Sequence, residues 1–182
     1  PVTINSYYQE LTTYREGIAS NGTDGLNATA KNLAKFMQSV QENGGYYLAR
    51  YEASYGSGSS TADWKPLSKI STGTPRDSSQ SSTPLRQGML WNWVTQLEAS
   101  KICQNMYPSE DTTVGVESDL TNSYAWDTAI VFIQSMNTAN SNYANANRDT
   151  TGNSSLMNTG ETGDEVCNIF DMAANLSEWT TE

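Results

Sequence analysis

The chain has 182 residues, enough for one domain with a sizeable core, and its 10 Lys and Arg against 20 Asp and Glu leave a formal charge of −10. That balance opposes sequence-independent binding to phosphates, so nucleic acid is excluded as an expected partner. There is no His, which rules out a Ser-His-Asp triad within the chain and removes both the commonest general base and the commonest transition-metal ligand.

Only 16% of residues are charged, so the polarity comes mainly from Ser, Thr, Asn and Gln, while 5 Trp and 10 Tyr supply core anchors and contact surface. Such a composition suits a virion, an extracellular space or a cell surface better than a cytosolic enzyme. Cys103 and Cys167 are too few for a disulfide framework and too far apart for a four-cysteine zinc site. Two readings stay open for them, a pair or two buried free thiols, and the second is preferred. No apolar run approaches the roughly 20 residues that span a bilayer, and PVTINSYYQE does not have the form of a signal peptide, so membrane insertion is not expected.

In chain order, residues 1–25 are mixed and polar and end in the turn-forming SNGTDG. From Leu26 to about Glu42, Ala30, Leu33, Phe36, Met37 and Val40 recur at helical spacing, and Asn43-Gly44-Gly45 supplies the stop. GYYLARYEAS then alternates like an aromatic-rich strand. Residues 56–88 are rich in Gly, Ser, Thr and Pro and predict a long excursion with an extended piece from Trp64 to Ile70. In LWNWVTQLEASKICQNMY, Thr95 stands three residues before Glu98, the spacing of a capping box, ahead of a helix ended by Pro108. A further helix, largely buried, is predicted from about Thr121 to Ser135, followed by a polar loop from Asn137 to Glu165.

Four segments carry a family resemblance. GYYLARYEAS, with Tyr51 and Glu52, looks like the opening strand of the formylglycine-generating-enzyme and sulfatase-modifying family; VTQLEASKICQNMY, with Ala99 and Cys103, is similar to its first core helix. DLTNSYAWDTAI keeps Leu120, Trp126 and Asp127 of the family's Arg-Leu-Pro-Thr-Glu-x-Glu-Trp-Glu helix. NIFDMAANLSEWTTE matches its Asn-x-Tyr-Asp-Met-x-Gly-Asn-x-x-Glu-Trp signature at Asn168, Asp171, Met172, Asn175, Glu178 and Trp179, with Ala174 where Gly is usual and Ser177 where an aromatic is usual. The chain resembles members of this family found in Firmicutes prophage and surface proteins and among retroelement-diversified phage binding proteins.

The resemblance covers about residues 45–182. It implies an α+β fold of C-type lectin type, with a small twisted, mainly antiparallel sheet and packed helices, and leaves residues 1–44 as a helical N-terminal extension. Family members continue into an Arg-Gly-Gly segment and a terminal Phe-Arg strand, and in the oxidising enzymes the copper-binding cysteines lie in that part; this chain stops at Glu182. The expected role is therefore non-catalytic binding of a host-cell surface glycan or protein from a phage tail or bacterial surface, with a homo-oligomer or virion proteins as further partners. The rival readings are a piece of a sulfatase-modifying oxidase without its catalytic end and a structural virion component.

No catalytic or cofactor residues are assigned. Asn175 and Glu178 resemble residues that frame a structural calcium site in family enzymes, and oxygen ligands of this kind suit calcium; a loop tied to the core reads equally from the same pattern. Glu52, Asp127 and Glu178 read as structural hydrogen-bonding groups rather than acid-base pairs, and Trp91, Trp93, Trp126 and Trp179 as core. Ligand contact is expected from the polar loop, at Tyr143, Asn145, Asn147 and Arg148, since Asn, Gly, Thr and Ser tolerate turns and offer donors and acceptors without burial.

Overall fold

A computed structural model describes residues 33–59, 63–82, 84–108, 113, 115–136, 139, 141–144 and 156–181. Among them the chain is mixed α+β, with helices α1 (Leu33–Asn43), α2 (Gln96–Met106) and α3 (Ser123–Met136) and strands β1 (Ala53–Ser57), β2 (Lys65–Ser68), β3 (Glu165–Val166) and β4 (Ile169–Phe170). The strands form two antiparallel pairs, β1 with β2 and β3 with β4. The described residues gather into two compact units, one drawn from 33–48, 95–123 and 179–181, the other from 49–94 and 124–178.

In the first unit, α1 ends where Gly44 takes φ +78°, a left-handed C′ position that Gly occupies without the Cβ penalty. α2 opens on the predicted capping box: the Glu98 N–H donates to Thr95 Oγ1, and the Thr95 N–H to Glu98 Oε2 at 2.7 Å. Beyond α2, Ser118 Oγ donates to the Cys103 carbonyl at 2.6 Å and accepts the Tyr107 N–H at 2.8 Å, closing the helix end that Pro108 forbids the chain to continue. Residues 180 and 181 are held to the unit by the Thr181 N–H on the Thr121 carbonyl and by Gln96 Nε2 on the Thr180 carbonyl.

In the second unit, β1 lies between β2 and residues 88–91. Ser54 faces Leu67 on one side and Leu90 on the other, and the Trp91 N–H donates to the Ala53 carbonyl at 2.9 Å. Gly56 sits at an irregularity in the register, where a Cβ would lie 2.7 Å from the Lys65 carbonyl oxygen, so the close pairing needs a residue without one. Trp91 is buried there, with Tyr55 and Trp64 edge-on to it at 5.1 and 5.6 Å. On α3, Ala125, Ala129, Ile130 and Ile133 form the buried stripe at helical spacing.

The aromatic run before β1 is a correction to the expected strand: only Ala53 and the residues after it enter the ladder, and residues 45–52 are irregular. Side chains and single main-chain bonds take over there. The Tyr51 N–H donates to Ser68 Oγ, the Arg50 carbonyl accepts the Phe170 N–H, and the Tyr51 and Phe170 rings stack at 4.5 Å beneath the Arg50 guanidinium. The β3–β4 hairpin lay inside the presumed loop and signature. Its two-residue turn, Cys167-Asn168, has positive φ at both positions, the backbone that matches strand twist in tight hairpins.

α3 offers a stability test. Ile133→Ala should cost about 2–5 kcal/mol, whereas Val131→Ala, on a side chain 62% exposed, should stay within about 0.5 kcal/mol. Urea unfolding of the two variants checks the difference; equal losses would place the helix in another rotation.

Candidate functional site

The second unit is organised by carboxylates. Asp171 is 0% exposed and takes φ +59°, a left-handed conformation that Asp tolerates better than most residues. Its Oδ2 accepts Thr159 Oγ1 at 2.9 Å and the Gly160 N–H at 2.7 Å, and its Oδ1 accepts the Thr162 hydroxyl. The same loop is held from the other side: the Thr159 N–H donates to Ser71 Oγ at 2.9 Å, and Asn158 Nδ2 to the Gly73 carbonyl at 2.8 Å. The stretch at residues 158–162 is thus clamped between a buried acid and residues 71–73.

Glu52 closes a second link. Its Oε2 accepts Asn175 Nδ2 at 2.7 Å and its Oε1 the Leu176 N–H at 3.2 Å, joining residues more than a hundred positions apart. Asn175, at φ +64°, accepts the Met157 N–H on Oδ1 at 3.1 Å. Glu178 Oε2 accepts the Trp126 indole N–H at 2.7 Å. Burial raises the Glu52 pKa to about 8, with the nearby charges of Asp171 and Glu178 adding to it and the Asn175 hydrogen bond opposing it. The Glu178 pKa is also raised, first by the protein crowded around it and then by Asp171, although the residue as a whole is exposed.

Of the three carboxylates singled out in the sequence, Glu178 lies close enough to Glu52 for its charge to act there, while Asp127 is exposed on α3. Asp171 and Asp164 are the acids the sequence reading did not single out; Asp171 stands in the matched signature, but nothing in that wording marks it as buried. Tyr143, expected at the surface, needs correction: it is 4% exposed and its hydroxyl donates to Asp164 Oδ2 at 2.6 Å, so it braces the loop from inside. Asn145, Asn147 and Arg148 lie outside the described residues. Trp91 is core as expected and Trp126 is half-buried, whereas Trp93 and Trp179 are 52% and 50% exposed, against the expectation that both are core.

Asn175 and Glu178, the pair whose wording resembles a calcium frame, each bond within the protein in this arrangement. The Asn175 oxygen accepts a main-chain N–H, its amide nitrogen donates to Glu52, and Glu178 Oε2 accepts from Trp126, so both residues tie loops together. Among the described residues no group of three or more His, Cys, Asp and Glu is placed to hold a metal ion. Both cysteines are free; burial, and then Asp119, pushes the Cys103 thiol up to about 12, which opposes thiolate chemistry there. No helix of the described residues is long and apolar enough to cross a membrane.

No protein-family model, curated protein or solved structure matches the chain.

The raised Glu52 pKa has a measurable consequence. Glu52 holds its proton more tightly in the folded chain than its ordinary value of 4.5 allows in the unfolded one, so its contribution to stability is complete below that value and is lost as the pH rises to about 8. The melting temperature should fall between pH 5 and pH 8, and Glu52→Gln should flatten that slope by an amount equivalent to about 1–3 kcal/mol. Thermal unfolding across this range in both proteins checks it; an unchanged slope in the variant would remove Glu52 as its source.

Proposed function

We propose that the chain is a non-catalytic ligand- or receptor-binding domain of a phage tail or bacterial surface protein, built on the formylglycine-generating-enzyme type of C-type lectin fold. The observation that supports this reading is the convergence of the residues on which the resemblance rests. Glu52 of the first matched segment bonds Asn175 of the last, and Trp126 of the third bonds Glu178 of the last. These residues are far apart in sequence, and nothing in composition or periodicity requires them to meet.

The chemistry of that cluster supports binding over catalysis. Both oxygens of Glu52 and of Asp171 accept protein donors, and each bond secures an irregular segment instead of pointing a reactive group outward. A domain whose loops are fastened from within presents their outer surfaces with little entropy left to lose on binding. The partners proposed are a host-cell surface glycan or protein, in a virion or extracellular setting, with Asn145, Asn147 and Arg148 as contact residues and with self-association or virion proteins as further partners.

Two measurements test the proposal. The purified chain should bind at least one component of arrays carrying bacterial cell-surface glycans and proteins, and joint replacement of Asn145, Asn147 and Arg148 by Ala should weaken that binding by about tenfold or more, equivalent to about 1.4 kcal/mol. An empty array would sink the binding reading. Incubation with a cysteine-containing sulfatase peptide and copper should leave the peptide unchanged; formylglycine found by mass spectrometry would put the oxidase reading in its place.

A further inference from the structure

Trp93 is held in an unfavourable conformation and then left half in water. Its φ of +56° lies in the left-handed region, where a bulky side chain costs about 1–3 kcal/mol. The surrounding residues enforce it. The Arg76 carbonyl accepts both the Trp93 indole N–H at 3.0 Å and Asn92 Nδ2 at 2.7 Å. The Arg76 guanidinium returns the bonds, from Nε to Asn92 Oδ1 at 3.3 Å, from one terminal nitrogen to the Asn92 carbonyl and from the other to the Ser81 carbonyl. Arg76 and Asn92 are both buried. A buried clamp of this kind locks the turn and fixes the plane of the indole.

That effort yields little core, because 52% of Trp93 is open to solvent. The one polar atom of the ring is already satisfied by the Arg76 carbonyl, so what the residue offers outward is an apolar, flat, pre-oriented face. Asp77, next in the chain after the anchoring carbonyl, is exposed, and its Oδ1 accepts from the Ser79 N–H and hydroxyl. A fixed aromatic plane with a carboxylate acceptor in the adjoining turn suits a ligand that has an apolar face and a rim of hydroxyl groups.

The chemistry narrows the class. A net charge of −10 disfavours anionic ligands, and organic cations are usually enclosed by several rings, whereas no second ring packs on Trp93 among the described residues. We infer that Trp93 is a stacking platform for a neutral hexopyranose, with Asp77 accepting from its hydroxyl groups. This rests on the binding-domain reading above and supplies its ligand class.

The experiment is titration of the chain with four neutral hexasaccharides (cellohexaose, maltohexaose, mannohexaose and chitohexaose), followed by saturation-transfer NMR and calorimetry, with sialyllactose and choline as charged comparators. Trp93→Gly is the decisive variant, since Gly accepts the positive φ without strain and the fold should melt no lower than the parent. At least one hexasaccharide should bind, Trp93→Gly should weaken it by about tenfold or more, and Trp93→Phe should retain part of the affinity. Preference for sialyllactose or choline, absence of hexasaccharide binding, or undiminished binding by Trp93→Gly would each overturn the inference. If array binding persists in Trp93→Gly, this inference alone fails; if the parent chain binds nothing on the arrays, the binding-domain reading fails with it.

Discussion

Asp171 is the group on which the second unit depends. A carboxylate removed from water is tolerable only if protein donors replace its hydration, and Thr159, Gly160 and Thr162 do so from a single loop. The requirement acts in both directions, since the loop has no strand neighbours to hold it and the acid has no counter-ion among these contacts. Removing one partner would leave the other buried and unsatisfied, a larger loss than the bond itself is worth. The neighbouring chain is drawn in by the same demand: the Asp171 N–H donates to the Asp164 carbonyl, and Asp164 receives the Tyr143 hydroxyl.

Among the described residues the sheets are short two-stranded pairs, and polar side chains add to the main-chain bonds that cross-link this unit. Among the largest fully buried side chains, Thr159, Asp171, Ser54 and Ser71 stand beside Leu90 and Ile133. Hydrogen bonds inside a protein are directional where apolar contacts are not, so a core of this composition specifies loop conformation more tightly than it adds net stability. Positive φ at Asn168, Asp171 and Asn175 belongs to the same economy: Asx side chains tolerate the left-handed region and give the chain sharp turns where its acceptors are needed.

Trp93 departs from that pattern. Its positive φ has no small or Asx side chain to ease it, and its conformation is enforced by a buried arginine and asparagine. Strain retained by such a clamp, with the ring left exposed, is the feature that separates a presenting residue from a packing one. The exposed side of α3, with Val131, Phe132 and Met136, shows no comparable device.

Local signals in the sequence carried the helices and one strand. Thr95 and Glu98 marked the start of α2 and Pro108 its end, and the apolar run marked α3 as a helix, because capping and helical periodicity act over three or four residues; the expectation that α3 is largely buried holds only for its Ala125–Ile133 stripe, since Val131, Phe132 and Met136 are exposed. The extended piece expected from Trp64 to Ile70 within the polar excursion 56–88 likewise contains β2. The same sequence misplaced the strand at residues 45–52, since aromatic alternation suits a ladder whether or not a partner is available, and it missed the β3–β4 hairpin, whose Cys-Asn turn is not a common hairpin pair. The site was legible only as separate words: Glu52, Trp126, Asn175 and Glu178 were each marked, but their meeting depends on contacts between distant segments. Burial of Tyr143 and Asp171, and exposure of Trp93, were decided by tertiary structure for the same reason: a side chain's identity sets the hydrogen bonds and apolar surface it can offer, and only the folded chain determines which of its neighbours are protein and which are water.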